Sequence, residues 1–148
     1  MNTTTNGTVI GVWPTLVYRD GQAALKFLTE GLGFTLVASH PGVAEGSIAH
    51  AELTWPAGGG VMVSSLDRNA EPNEFDQLAG QIASVYLVCD DPDAVWPTAM
   101  AAGATVVREK RKEDYGSYGF SVADPEGNVW SIGTYRGEIG ALSTGGEQ

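Results

Sequence analysis

Apolar and polar positions along this chain of 148 residues alternate in short runs, interrupted twice by stretches with helical spacing. "TLVY" from Thr15 and "YLVC" from Tyr86 alternate as strands do, and each is followed by an acidic turn at Asp20 or Asp91. Ala24, Leu25, Phe27, Leu28 and Leu32 then form an i, i+3, i+4 apolar face that Gly33 ends; Val95, Ala99 and Met100 do the same ahead of Gly103. Both aspartates suit a helix N-terminus, where a carboxylate meets unpaired N–H groups.

The two stretches are copies. Leu16, Val17, Asp20 and Ala23 align with Leu87, Val88, Asp91 and Ala94 at an offset of 71, and Gly33, Thr35 and Val37 align with Gly103, Thr105 and Val107 at an offset of 70. More alternating runs follow each copy. "GSIAHAELTW" and "GGVMVSSL" flank the turn "PAGG"; "GFSVAD" and "NVWSIGTY" flank "PEG". The pattern predicts an α+β fold of two tandem βαβββ modules within a single domain, 1–148. The first module covers 9–66, a polar linker 67–82, the second module 83–136, and a flexible tail 137–148. In "DPEGNVWSIGTY" Trp130 and Ser131 point to opposite faces of one strand, so Trp130 is assigned to the core and Ser131 to the face away from the helix.

Charge and composition narrow the function. Eighteen acidic residues against eight basic ones give a net charge of −10, which argues against nucleic acid, whose binding depends on neutralising phosphates. An acidic field favours cationic small molecules. No apolar run is long enough for a membrane span, and "MNTTTNGT" lacks the regions of a signal peptide. A cytoplasmic protein with frayed ends is expected. The single cysteine, Cys89, excludes an internal disulfide framework and reads as a structural thiol. No nucleophile motif appears, and "AGGG" at 57–60 lacks the Lys and Ser/Thr of a phosphate loop.

"LVYRDGQAALKFLTEGLGF", "HAELTW…VMVSS" and "GFSVADPEGNVWSIGTY" resemble the opening, central hairpin and closing hairpin of modules in the vicinal oxygen chelate superfamily. That superfamily includes glyoxalase I, extradiol dioxygenases and the fosfomycin- and bleomycin-resistance proteins. The likeness runs over about residues 9 to 136 and is strongest to uncharacterised bacterial members of glyoxalase or bleomycin-resistance type. It implies a curved mixed sheet around a cleft, helices on the outer face, and a homodimer. Metal-using members carry ligands on the first and last strands of each module. Counted from the turns, these places fall on Trp13, Val63, Ser84 and Ser131. None is a competent ligand for a divalent transition metal, so no metal and no cofactor is expected. The fallback pair is His50 and Glu52, two apart on one strand face; His40 is weaker still.

Strand parity turns Trp13, Thr15, Val63, Ser65, Ser84, Tyr86 and Ser131 toward the cleft, with Trp55, Tyr115 and Tyr118 at its rim. Aromatic rings and hydroxyls suit a planar or amphipathic ligand. No catalytic residue is assigned. The expected function is metal-free binding of a small cationic or aromatic molecule, of bleomycin-resistance type. The alternatives are a glyoxalase-like metal-dependent lyase or isomerase with a non-standard site, and a protein-binding module.

Overall fold

A computed structural model describes residues 9–139. The frayed start and most of the flexible tail expected from the sequence lie outside the described residues; residues 137–139 are helical.

The first copy runs β1 (Thr15–Tyr18), α1 (Gly21–Lys26), a π-helical continuation (Phe27–Leu32), β2 (Thr35–Pro41), β3 (Ile48–Thr54) and β4 (Gly60–Ser65). The second runs β5 (Ser84–Val88), α2 (Pro92–Ala101), β6 (Thr105–Lys112), β7 (Tyr118–Ala123) and β8 (Val129–Gly133). Their sheets have the same order, β1-β4-β3-β2 and β5-β8-β7-β6. In each, the first and last strands are parallel and the rest antiparallel. A helical crossover explains this, since it returns the chain to the sheet in a way that a hairpin cannot. The architecture is thus α+β, two tandem βαβββ modules.

The chain divides into two compact units, one made of the chain through Leu25 with Gly33–Gln81, the other of Lys26–Leu32 with the chain from Ile82. In the first unit Leu16, Tyr18, Ala51, Leu53, Val61 and Val63 are buried. In the second unit Leu87, Phe120, Val122, Trp130 and Ile132 are buried. Trp130 is fully buried, as its parity predicts.

The change of offset from 71 to 70 between the copies now has a physical cause. The first copy carries one more residue between its aspartate and its glycine, and the π-helical segment Phe27–Leu32 absorbs it. Within the second unit this segment packs on α2. Thr98 Oγ1 donates to the Gly31 carbonyl at 2.8 Å, and a side chain at Gly31 would collide with Ala102. Both helices end on a left-handed glycine, Gly33 at φ 103° and Gly103 at φ 91°.

The expectation of two aspartate caps is half met. Asp20 Oδ1 accepts the Ala23 N–H at 3.0 Å, but Asp91, followed by Pro92, makes no side-chain cap bond. The linker also has structure of its own. Glu74–Leu78 is a 3₁₀ helix opened by a capping box, in which Asn73 accepts the Phe75 N–H and Asp76 accepts the Asn73 N–H.

Candidate functional site

Strand register decides which side chains share a face. On the first sheet, Thr15 lies beside Met62, Met62 beside Glu52, and Glu52 beside Ala38. On the second, Tyr86 lies beside Ser131, Ser131 beside Ser121, and Ser121 beside Arg108. These rows are equivalent, down to a register shift just before Ala38 and just before Arg108. They lie on the face opposite the core residues, so Ser131 does point away from Trp130.

The same registers correct the metal position expected at Val63. Val63 pairs with Leu16 and Ala51 and is 1% exposed. It is core, and the counterpart of Ser131 is Met62. A one-residue slip exchanges faces because the side-chain period is two.

Two further assignments change. Trp55 is buried, its ring tilted on Phe34 with centroids 5.0 Å apart; it is packing, not rim. Tyr118 shares the parity of Phe120 and Val122, and its hydroxyl donates to Asp93 at the start of α2, 2.6 Å away. It sits on the helix side, where Lys110 also reaches Asp93 and lies over the Trp96 ring. The Trp13 ring lies against Gly60, where any side chain would meet it. Ser84 is exposed. Ser65 accepts the Ile48 N–H at 2.8 Å.

In the second unit a small cup of about 150 Å³ gathers Tyr86, Arg108, Tyr115, Ser121 and Ser131. The Ser121 and Ser131 hydroxyls are 2.7 Å apart and share a hydrogen bond. Tyr86 donates to the Tyr135 carbonyl at 2.8 Å, and desolvation pushes its phenol up. Glu113 binds Arg111 at 2.8 Å and approaches Arg108 at 3.6 Å. The Arg111 hydrogen bond holds its carboxyl below the ordinary range.

The larger cavity, about 610 Å³, belongs to the first unit. Thr15, Val17 and Ser64 of β1 and β4 form one wall, and Phe75, Asp76 and Leu78 of the linker another. Asp67 joins the linker to the loop after β2. Its carboxylate accepts from the N–H groups of Val43 (2.6 Å), Ala44 (3.1 Å) and Asn69 (3.0 Å) and from the Ser47 hydroxyl (3.1 Å). Desolvation pushes Asp67 up, but these donors together outweigh it and hold the carboxyl below its ordinary value. Of the residues expected to bind, Thr15 and Ser65 line this cavity, and Tyr86, Tyr115 and Ser131 line the cup. Sequence reasoning missed the linker wall. Phe75 and Leu78, three apart on the short helix that the Asn73–Asp76 capping box opens, were the available signal.

His50 Nε2 and a Glu52 oxygen are 2.8 Å apart, and the His40 ring stacks on His50 with centroids 6.2 Å apart. Among the described residues no three His, Cys, Asp or Glu side chains form a group able to hold a metal. At the family's ligand positions the chemistry does not suit a divalent cation either. Trp13 offers no donor, Met62 only a thioether, Ser84 a neutral hydroxyl, and the Ser131 hydroxyl is shared with Ser121. Cys89 is a half-buried free thiol, pushed up by desolvation.

The sequence model of the Glyoxalase/Bleomycin resistance protein/Dioxygenase superfamily matches residues 12–132. An uncharacterised protein of Mycobacterium bovis is 30% identical over 125 residues, covering 81% of this chain and 80% of that protein. The structure of TioX from Micromonospora sp. ML1 superimposes with a TM-score of 0.65 at 25% identity, covering 85% of this chain and all of TioX. A glyoxalase I variant from Zea mays shares the fold, with a TM-score of 0.62 at 14% identity over 83% of this chain and 43% of that one.

Proposed function

The chain belongs to the Glyoxalase/Bleomycin resistance protein/Dioxygenase superfamily, and from that membership we propose that it is a metal-free small-molecule binding protein that acts by sequestration. The observation that carries the reading is the open face of each sheet. Where metal-using relatives place ligands, this chain has Trp13, Met62, Ser84 and Ser131. Such a face offers aromatic, thioether and hydroxyl surface and no electrophilic centre, which suits holding a molecule rather than breaking a bond. The net charge of −10 favours arrival of a cationic or aromatic-cationic ligand. A cytoplasmic homodimer belongs to the same proposal, and sedimentation tests its oligomeric part.

Two measurements test the function. Isothermal titration against a panel of glycopeptide and quinone antibiotics should give binding to at least one compound without added metal. Elemental analysis of protein purified without chelators should give substoichiometric Zn, Ni, Fe and Mn. Stoichiometric metal would instead favour a glyoxalase-like lyase or isomerase, for which the His50–Glu52 pair is the starting point.

A further inference from the structure

We propose that the first-unit cavity takes a compact apolar molecule bearing one cationic amine, and that the segment between the two copies forms the wall that reads the charge. This rests on the small-molecule-binding proposal and assigns it a place and a ligand chemistry.

The cavity is the first argument. At about 610 Å³ it lies in the range of small-molecule sites. Val17, Ile48, Val43, Phe75 and Leu78 supply apolar lining. Three of these stay open to water: Val43 is 70% exposed, Phe75 60% and Leu78 38%. Large apolar side chains left wet around a cavity are surface that an apolar ligand removes from water.

Charge is the second argument and is independent of the first. Asp67, Glu71 and Asp76 line the cavity, and none of its lining residues is basic. An anionic ligand would therefore meet repulsion with no compensating donor, while an ammonium has acceptors. The carboxylates differ in role. Asp67 is committed to four donors from the loop and linker, and Asp76 to the Asn73 N–H. No hydrogen bond or ion pair engages Glu71 among the described residues. Glu71 is the group able to turn toward a ligand without undoing the wall. The capping box that starts Glu74–Leu78 fixes Phe75 and Leu78 beside it, so apolar and anionic contacts come from one short segment.

The test is isothermal titration of the full chain with three probes on one naphthalene frame at neutral pH: 1-naphthylmethylamine, its isosteric alcohol 1-naphthalenemethanol, and the anion 1-naphthoate. The expected order is amine over alcohol by roughly tenfold, as for a hydrogen bond to a charged group, with the anion weakest. High salt should narrow the gap. Glu71→Gln should bring the amine down toward the alcohol and leave the alcohol unchanged. Glu109→Gln, which removes a charge from exposed β6, should change nothing. Ala49→Phe, which fills the cavity, should abolish binding of all three. Equal binding of amine and alcohol overturns the charge assignment while leaving small-molecule binding standing. Amine binding that survives Ala49→Phe, or no binding by any probe, overturns the cavity assignment. Stoichiometric metal overturns the proposed function on separate grounds.

Discussion

The Trp130 indole N–H donates to the buried Asp124 carboxylate at 3.1 Å, joining the last strand to the turn that precedes it. Asp124 does more than receive this one bond. It also accepts the N–H groups of Glu126 (2.9 Å) and Asn128 (3.0 Å), and the Asn128 side-chain amide at 3.3 Å. One side chain therefore closes the turn and anchors the core aromatic. Asp124→Ala leaves several buried donors without partners, at about 1–3 kcal/mol each, so a loss of roughly 3 kcal/mol or more is expected. Trp130→Phe keeps one aromatic ring, but it forfeits the bond and leaves the space of the second ring empty in a fully buried site, so it should cost about 2 kcal/mol, less than Asp124→Ala. Urea unfolding of both variants checks the order; equal losses would mean that the turn bonds contribute little.

Asp67 gives a prediction in pH. Its carboxyl is held below the ordinary value by three N–H groups and a hydroxyl that outweigh desolvation. A group depressed on folding contributes stability that is full above its unfolded pKa, about 3.8, and is lost as pH falls through the lower folded value. Asp67→Asn keeps one carbonyl oxygen but cannot accept from all of Val43, Ala44, Asn69 and Ser47. The variant should be less stable than wild type at pH 6. The gap should shrink once pH falls below about 4, because the carboxylate of the unfolded chain then takes up a proton before the folded one does. Thermal midpoints across that range read it directly, and a gap that widens on acidification would be the wrong sign.

The π-helical segment makes a prediction about deletion. The first copy has one residue more than the second between its turn aspartate and its terminal glycine, and Phe27–Leu32 holds it. Removing exposed Glu30 should convert the π turn to α-helix and bring this span to the length of the second copy. The cost should be in the ordinary range for a single change, about 1–3 kcal/mol. Deleting Thr98 from α2, which has no such surplus and whose hydroxyl binds Gly31, should prevent folding. Circular dichroism and urea titration distinguish the two outcomes.

How far the sequence carries depends on whether the determinant is local. Strands, the helix-ending glycines and the opposed faces of Trp130 and Ser131 follow from period and turn chemistry, which a single sequence displays. The first-sheet face of β4 did not follow, because counting across "PAGGG" leaves a one-residue ambiguity that only register resolves: Val63 lies beside Leu16 and Met62 beside Thr15. Trp55 and Tyr118 look like cleft-rim residues in isolation, since an aromatic near a strand end carries no mark of its partner. Their partners, Phe34 and Asp93, are fixed by packing between elements. The linker wall was hidden for the opposite reason. Its polar composition is that of a connector, and its role comes from Asp67 tying it to the loop after β2.

The corrected face of β4 can be tested directly. Met62 lies beside Glu52 on the open face, and Glu52 already binds His50 at 2.8 Å. Met62→Glu therefore adds a carboxylate beside another, which should cost about 0.2–1 kcal/mol by like-charge repulsion across strands. It also completes one His and two carboxylates on one face, a donor set suited to divalent transition metals. Added zinc should then raise the variant's melting temperature in proportion to the logarithm of its concentration, with no comparable shift in wild type. Val63→Glu is the contrasting change. Val63 is 1% exposed, so a carboxylate there enters the core and should cost more than about 4 kcal/mol. If Val63→Glu folds and gains zinc dependence while Met62→Glu collapses, the two faces of β4 are reversed.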